Sequence, residues 1–256
     1  MEQSSTTQNS ELKTMQAMIF AAGLGTRLKP LTSTMPKALV EVGGQPLLER
    51  TIMRLRDSGV NRIVVNVHHF ASKIIDYLAR NDNFGMDIRI SDETECLLDT
   101  GGGLKKAAPL FDAAYPILIH NVDILSNVDL SAFYNNNIAN DATLLVSKRK
   151  TKRYLLFDDT MRLVGWTNIE TGEVKSPYPN FDLAQYHKYA FSGIHVFSPR
   201  LFPLMSSFPD KFGIIDFYLK MCDTAVIKGV VKDDLRLMDV GKIETLSEAE
   251  NFINQI

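Results

Sequence analysis

The sequence predicts an α/β fold: one domain, a three-layer sandwich in which a mixed, mostly parallel sheet carries helices on both faces. Two observations predict it. Short apolar runs of strand type alternate with segments of helical periodicity, the pattern of strand–helix–strand crossovers. The first apolar run then ends in a glycine turn, Gly23-Leu24-Gly25-Thr26-Arg27, at the strand edge where open α/β sheets receive ligands. With 256 residues and 45% apolar content the chain can build one substantial core. No internal repeat or second core suggests another domain, so residues 15–256 form the predicted domain and the polar residues 1–14 a disordered tail.

Residues 16–22 are the first predicted strand. Pro46 precedes Leu47–Asp57, whose apolar positions Leu47, Leu48, Ile52 and Leu55 share one helical face; proline suits such a start. Ser58-Gly59 ends that helix, and the apolar Arg62–Val67 is the second strand. Ala71–Arg80 is a predicted helix, residues 87–90 a short strand, and Gly101-Gly102-Gly103 opens a helix through Ala108. Residues 116–120 make a buried strand, with Asn121-Val122-Asp123 at its C-terminal end. Ala142–Ser147 extends the sheet, and residues 154–166 read as a hairpin. Residues 167–188 read as a polar, proline-containing loop, and such loops inside compact domains commonly serve function. Residues 190–197 are a strand, Ile214–Met221 a helix, and residues 225–231 and 237–240 short strands. The amphipathic stretch 242–256 is the last predicted helix.

Composition excludes several function classes. A net charge of −2 gives no basic footprint for nucleic acid or an anionic membrane. No apolar run approaches the roughly 20 residues of a membrane span, and residues 1–14 lack the apolar core of a signal peptide. Cys96 and Cys222 match neither a zinc spacing nor a disulfide framework, so a reducing cytoplasm is expected. Met15 is a second possible start.

The glycine turn fits phosphate binding. Glycines allow close approach and leave amides free for an anion, while Arg27 and Lys37 add positive charge beside the cradle. Leu28 stands where a dinucleotide fingerprint would place its third glycine, and no Gly-Lys-Ser/Thr follows for a Walker loop. A nucleoside triphosphate, with Arg27 on its β- and γ-phosphates, is the remaining reading. Asp123 and Asp239 each follow an apolar strand and are the candidate metal pair, a set that suits Mg²⁺ beside substrate phosphates. Either aspartate alone is equally a capping residue. Gly101–Gly103 invites a base or ribose lying over it; Ser192-Gly193 marks either a close ligand or a bulge. The basic run Lys148, Arg149, Lys150, Lys152, Arg153 reads as a solvated strand end. Lys175 and Lys188 both remain open as contacts to a substrate phosphate, whereas His68, His69 and His120 lack partners at a ligand spacing.

On these residues the chain resembles the sugar-1-phosphate nucleotidyltransferases. Their signature, Gly-x-Gly-Thr-Arg-x-x-Pro-x-Thr followed by Pro-Lys, is matched by Gly23, Gly25, Thr26, Arg27, Pro30, Thr32, Pro36 and Lys37. The similarity continues through residues 43–47, 98–103, 121–123, 191–194 and 238–241, and thus covers the chain from Met15 onward. The resemblance implies a Rossmann-like fold of the nucleotide-diphospho-sugar transferase type, and transfer of a nucleoside monophosphate from an NTP to a sugar 1-phosphate. The Thr-Gly-Gly-Gly and Phe-Ser-Gly-Ile forms look most like uridylyltransferases, so UTP is favoured; guanylyl- and cytidylyltransferases are the alternatives, and a non-catalytic nucleotide sensor is a third reading. It further implies catalytic roles for Arg27 and Lys37, and nucleotide contacts from Ala22, Gly23, Gly25, Thr26, Gly101 and Gly102. Asn121 and Gly193 would meet the sugar, and Asp123 and Asp239 would hold Mg²⁺. Three departures stand out. Val122 replaces the family's glycine before the first metal aspartate. Glu173-Val174-Lys175-Ser176-Pro177 only vaguely matches the Glu-Lys-Pro segment whose lysine binds the sugar phosphate. No repeat-built acetyltransferase domain follows, so bifunctionality is not expected.

Overall fold

A computed structural model describes residues 14–179 and 181–256, so the expectation of a tail over 1–14 lies, apart from Thr14, outside the described residues. Strand β1 (Gln16–Phe20) is buried along its whole length, and its side chains alternate between two cores. Ala17 and Ile19 face one, Met18 and Phe20 the other, as a strand between two helical layers requires. A tight hairpin, β2 (Glu41–Val42) with β3 (Gln45–Pro46), leads into α1 (Leu47–Asp57). Then follow β4 (Arg62–Val67), α2 (Ala71–Arg80), β5 (Asp87–Asp92) and α3 (Asp99–Ala107). Next come β6 (Ile117–Asn121), β7 (Ile124–Ser126), α4 (Leu130–Asn135) and β8 (Ala142–Ser147).

The second half adds β9 (Arg153–Phe157), β10 (Leu163–Asn168), β11 (Glu173–Lys175) and the long β12 (His187–Phe197). A 3₁₀ segment over Pro199–Ser207, α5 (Ile214–Met221), β13 (Ile227–Val231), β14 (Leu237–Asp239) and α6 (Glu244–Ile253) complete it. In the central sheet β5, β4, β1, β6, β12, β8 and β13 lie side by side, and all but β12 run the same way. Helices α1 and α2 cover one face, α3 and α5 the other. The predicted α/β sandwich is therefore the observed one. Among the described residues no helix is long and apolar enough to cross a membrane.

The expected loop 167–188 is corrected. Glu173–Lys175 forms an edge strand on β10, and β12 begins at His187, where its first residues pair with β9 before the strand passes on to β6 and β8. All three residues of β11 are exposed, so no apolar alternation announced the strand. The last helix is shorter than expected, because only Glu244–Ile253 holds helical geometry.

Candidate active site

The sheet's C-terminal edge opens into a cleft of about 630 Å³. Its floor is the turn after β1. There Asn66, at the end of β4, accepts from the amides of Ala21 (2.7 Å) and Ala22 (3.3 Å) through Oδ1. The Asn66 amide donates in turn to Glu93 Oε1 at 2.7 Å, and Glu93 Oε2 accepts from the Leu98 amide at 3.1 Å. Glu93 is fully buried, and burial pushes its carboxyl above the usual range against the two hydrogen bonds that lower it. Asn66 lines the cleft without having been singled out in the sequence, and Glu93 and Asp99 line it as well. The available signal was Asn66 itself, a polar side chain inside the apolar run Ile-Val-Val-Asn-Val.

The signature residues fold the turn locally. Gly25 sits at φ +62°, and a Cβ there would lie 2.9 Å from both Lys37 Cβ and Thr32 Cγ2, so only glycine closes this corner. The Thr32 hydroxyl, buried, donates to Gly25 O at 2.8 Å. Gly23, by contrast, has nothing within 4 Å of a notional Cβ and faces the open cleft, with Ala22 and Thr26 beside it. Arg27 emerges from the short 3₁₀ turn Thr26–Leu28. Lys37, mostly buried, donates to the Asp123 carboxylate.

The two aspartates meet through backbone pairing. Strand β14 runs antiparallel to β7 with Asp239 opposite Ile124, and the Val240 amide donates to Asp123 O at 2.9 Å. Asp239 keeps solvent access at the rim, yet its carboxyl is raised above its ordinary value. Partial burial contributes most, then the charge of Asp123; Lys37, Arg27 and Arg149 pull the other way. Gly241 is the hinge of this arrangement. A Cβ on it would lie 2.6 Å from Asp239 Oδ1 and 2.7 Å from Arg27 Nη2, so arginine and aspartate converge on one glycine. Val122 keeps ordinary backbone geometry and buries its side chain in the core on the α1 side, which accounts for valine where the family carries glycine.

Other expected residues are placed differently. Asn121 lines the cleft. Gly193, at φ +74°, occupies a bulge in β12 and packs on Asn121, its notional Cβ 2.9 Å from Nδ2. Gly101 and Gly102 turn away from the cleft. Their amides donate to Phe212 O at 2.9 and 3.1 Å, and added Cβ atoms would strike Phe212 and Asp210 O. The close approach that these glycines permit is thus made by the chain's own 210–213 segment, and Leu97, Asp99 and Thr100 form the cleft wall there.

A glycine turn and an arginine facing two carboxylates thus gather on the C-terminal edge of a largely parallel sheet, where open α/β sheets receive ligands. The chain belongs to the nucleotidyl transferase family, whose model, described as "Nucleotidyl transferase", matches residues 16–256. Curated relatives include an N-acetylmuramate alpha-1-phosphate uridylyltransferase of Neisseria meningitidis, 39% identical over 47% of this chain and 52% of that protein. A Caulobacter vibrioides protein of the same name is 45% identical over 42% of this chain and 45% of its own length. The chain thus spans about half the length of these curated relatives. Among solved structures, HddC from Yersinia pseudotuberculosis complexed with GMP-PN is similar at TM-score 0.74 and 25% identity, over 93% of this chain and 99% of that one.

Proposed function

We propose that this chain transfers a nucleoside monophosphate unit from an NTP, with UTP favoured, to a sugar 1-phosphate. A phosphate oxygen of the sugar forms a bond to the α-phosphorus, the α–β phosphoanhydride bond breaks in line, and pyrophosphate leaves with the electron pair. The convergence of Arg27 and Asp239 on Gly241, beside Asp123, is the observation that carries this reading. It brings Arg27 and Lys37 together with two carboxylates, a grouping that supports a meeting of triphosphate and acceptor there.

Two carboxylates with open space for phosphate oxygens and water are a donor set that fits Mg²⁺; among the described residues no third His, Cys, Asp or Glu completes a larger cluster. Asp123 and Asp239 would hold the ion, which when bound supplies positive charge to the phosphate oxygens. Gly23 and the neighbouring amides of Gly25 and Thr26 cradle the triphosphate, with Ala22 lining the cleft beside them. Arg27 offsets charge growing on the departing pyrophosphate, and Lys37, already directed at Asp123, orients the reacting phosphates. Uridine is supported by the two uridylyltransferase relatives; guanine is the alternative, supported by the GMP-PN-bound neighbour.

Pyrophosphate release from UTP with Mg²⁺ and a set of sugar 1-phosphates tests the reading. Arg27→Ala and Asp123→Ala are each expected to lower turnover about a hundredfold or more. Near-normal turnover in either variant overturns the assignment.

A further inference from the structure

We propose that the pocket between α1, β7 and the end of α6 binds a phosphate group carrying one proton, borne by a small phosphomonoester or free in solution. It is a second oxyanion site, apart from the cleft that holds the glycine turn, and it does not depend on the transfer reaction above.

The pocket measures about 400 Å³, and its lining residues differ from those of the cleft. Periodicity builds its walls. His120 stands two residues after Leu118 on β6, so both side chains lie on the α1 side of the sheet, where Leu118 enters the core. On α1, Arg50 and Arg54 are four residues apart, share one helical face and both line the pocket. Strand β7 adds Ser126, and Met53, Ile253 and Ile256 add apolar surface.

Neither arginine forms an ion pair among the described residues. Arg54 donates through Nη1 to Ser126 Oγ at 3.1 Å and through Nη2 to Val128 O at 2.5 Å. A guanidinium carries five N–H groups, so three of them have no acceptor. Burial draws this guanidinium down to about 10, because an unpaired charge there is poorly solvated. Arg50 gives Nε and Nη2 to Val42 O, at 3.0 and 2.6 Å. The nearby carboxylates are already engaged: Asp57 by Arg56 at 3.0 Å, and Glu49 by Gln45 and Tyr77. Free guanidinium donors without a carboxylate suit an oxyanion from outside the chain.

His120 tells which oxyanion. The residue is fully buried and lines the same pocket. Its Nδ1 donates to Asn121 O at 2.7 Å, since a carbonyl can only accept, and Nε2 has no partner among the described residues. In the neutral ring Nε2 is therefore an acceptor. An acceptor beside arginine donors suits an anion that still has a proton to give. A phosphomonoester loses its second proton only at about pH 6, so its monoanion meets both demands. A sulfate ester has the same shape and charge and no such proton.

Calorimetric titration of the full chain with phenyl phosphate, phenyl sulfate and inorganic phosphate, at about pH 6, tests this. Phenyl phosphate is expected to bind tenfold or more tightly than phenyl sulfate. Inorganic phosphate binding equally well assigns the site to free phosphate, and weaker binding assigns it to a phosphomonoester whose body rests on the apolar wall. Arg54→Met is expected to weaken phenyl phosphate tenfold or more, and Arg27→Ala to leave it within twofold. Because Arg54→Met also gives up the bonds to Ser126 and Val128, Met53→Trp serves as a second variant. It narrows the pocket with Arg54 in place, and the same weakening is expected. No binding at millimolar phenyl phosphate, equal affinity for phosphate and sulfate esters, or full affinity in Met53→Trp overturns the proposal. Binding that Arg27→Ala removes and Arg54→Met leaves belongs to the cleft, and overturns it too.

Discussion

Single atoms at Gly241 decide how the charged groups of the cleft are spaced. Its absent side chain leaves room for Arg27 Nη2 and Asp239 Oδ1, each under 3 Å from where a Cβ would stand. Both are the far ends of flexible side chains, so alanine there displaces them without compressing backbone. Gly241→Ala is therefore expected to cost under about 1 kcal/mol of stability. Displacement of a phosphate-binding group by about 1 Å costs turnover on the order of a hundredfold, and kcat/KM is expected to fall by ten- to a hundredfold. Urea unfolding and pyrophosphate release measure the two effects separately. A variant with full activity would mean that Arg27 and Asp239 do not act at one point.

At the scale of elements, Asn66 ties three strands to the turn proposed to receive phosphate. It joins β4 to the amides after β1 and, through Glu93, to the segment after β5. Asn66→Ala strands the Ala21 and Ala22 amides and one oxygen of a buried carboxyl. At about 1–3 kcal/mol for each buried group left unpaired, partly relieved by water, a loss of about 3 kcal/mol is expected. The KM for the nucleotide should rise with it, because the turn loses its support. Unchanged stability would show that the network carries no weight. Asn66 stands out as a polar residue in an apolar run, but its bond to Glu93 was not legible, since the two stand 27 residues apart and nothing local announces it. Helix α1 was legible to the residue, because Leu47, Leu48, Ile52 and Leu55 repeat at helical spacing and all are buried. The glycine turn was legible because its motif fixes local geometry at Gly25 and Thr32. Gly101 and Gly102 misled for the opposite reason: their partner, Phe212, is more than a hundred residues away.

Over the whole molecule, the sheet separates two cores and encloses two histidines that the proposed chemistry does not use. His120 on β6 and His195 on β12 are fully buried, and burial draws both down to about 3; Arg54 adds to the effect at His120. His120 keeps one hydrogen bond, Nδ1 to Asn121 O at 2.7 Å, whereas neither His195 nitrogen has a partner among the described residues. His195 instead meets the Tyr218 ring edge-on, with centroids 5.7 Å apart. In the unfolded chain each histidine takes up a proton near pH 6.5. Between that pH and 3 the unfolded state therefore holds more protons than the folded one, so stability falls as pH falls through this window and recovers above it. The loss between pH 7 and pH 5 is on the order of 2 kcal/mol for each histidine. His195→Leu keeps the volume, removes two unpaired buried nitrogens and abolishes one of these proton uptakes. Urea unfolding at pH 7 and pH 5 is expected to show a smaller drop in the variant by about that amount, with stability at pH 7 preserved or improved. Equal pH dependence in the two proteins would mean that His195 is reached by water and protonates in place. The two cores on either side of β12 would then be less tightly closed than the burial of Ile194, Val196 and Phe197 indicates.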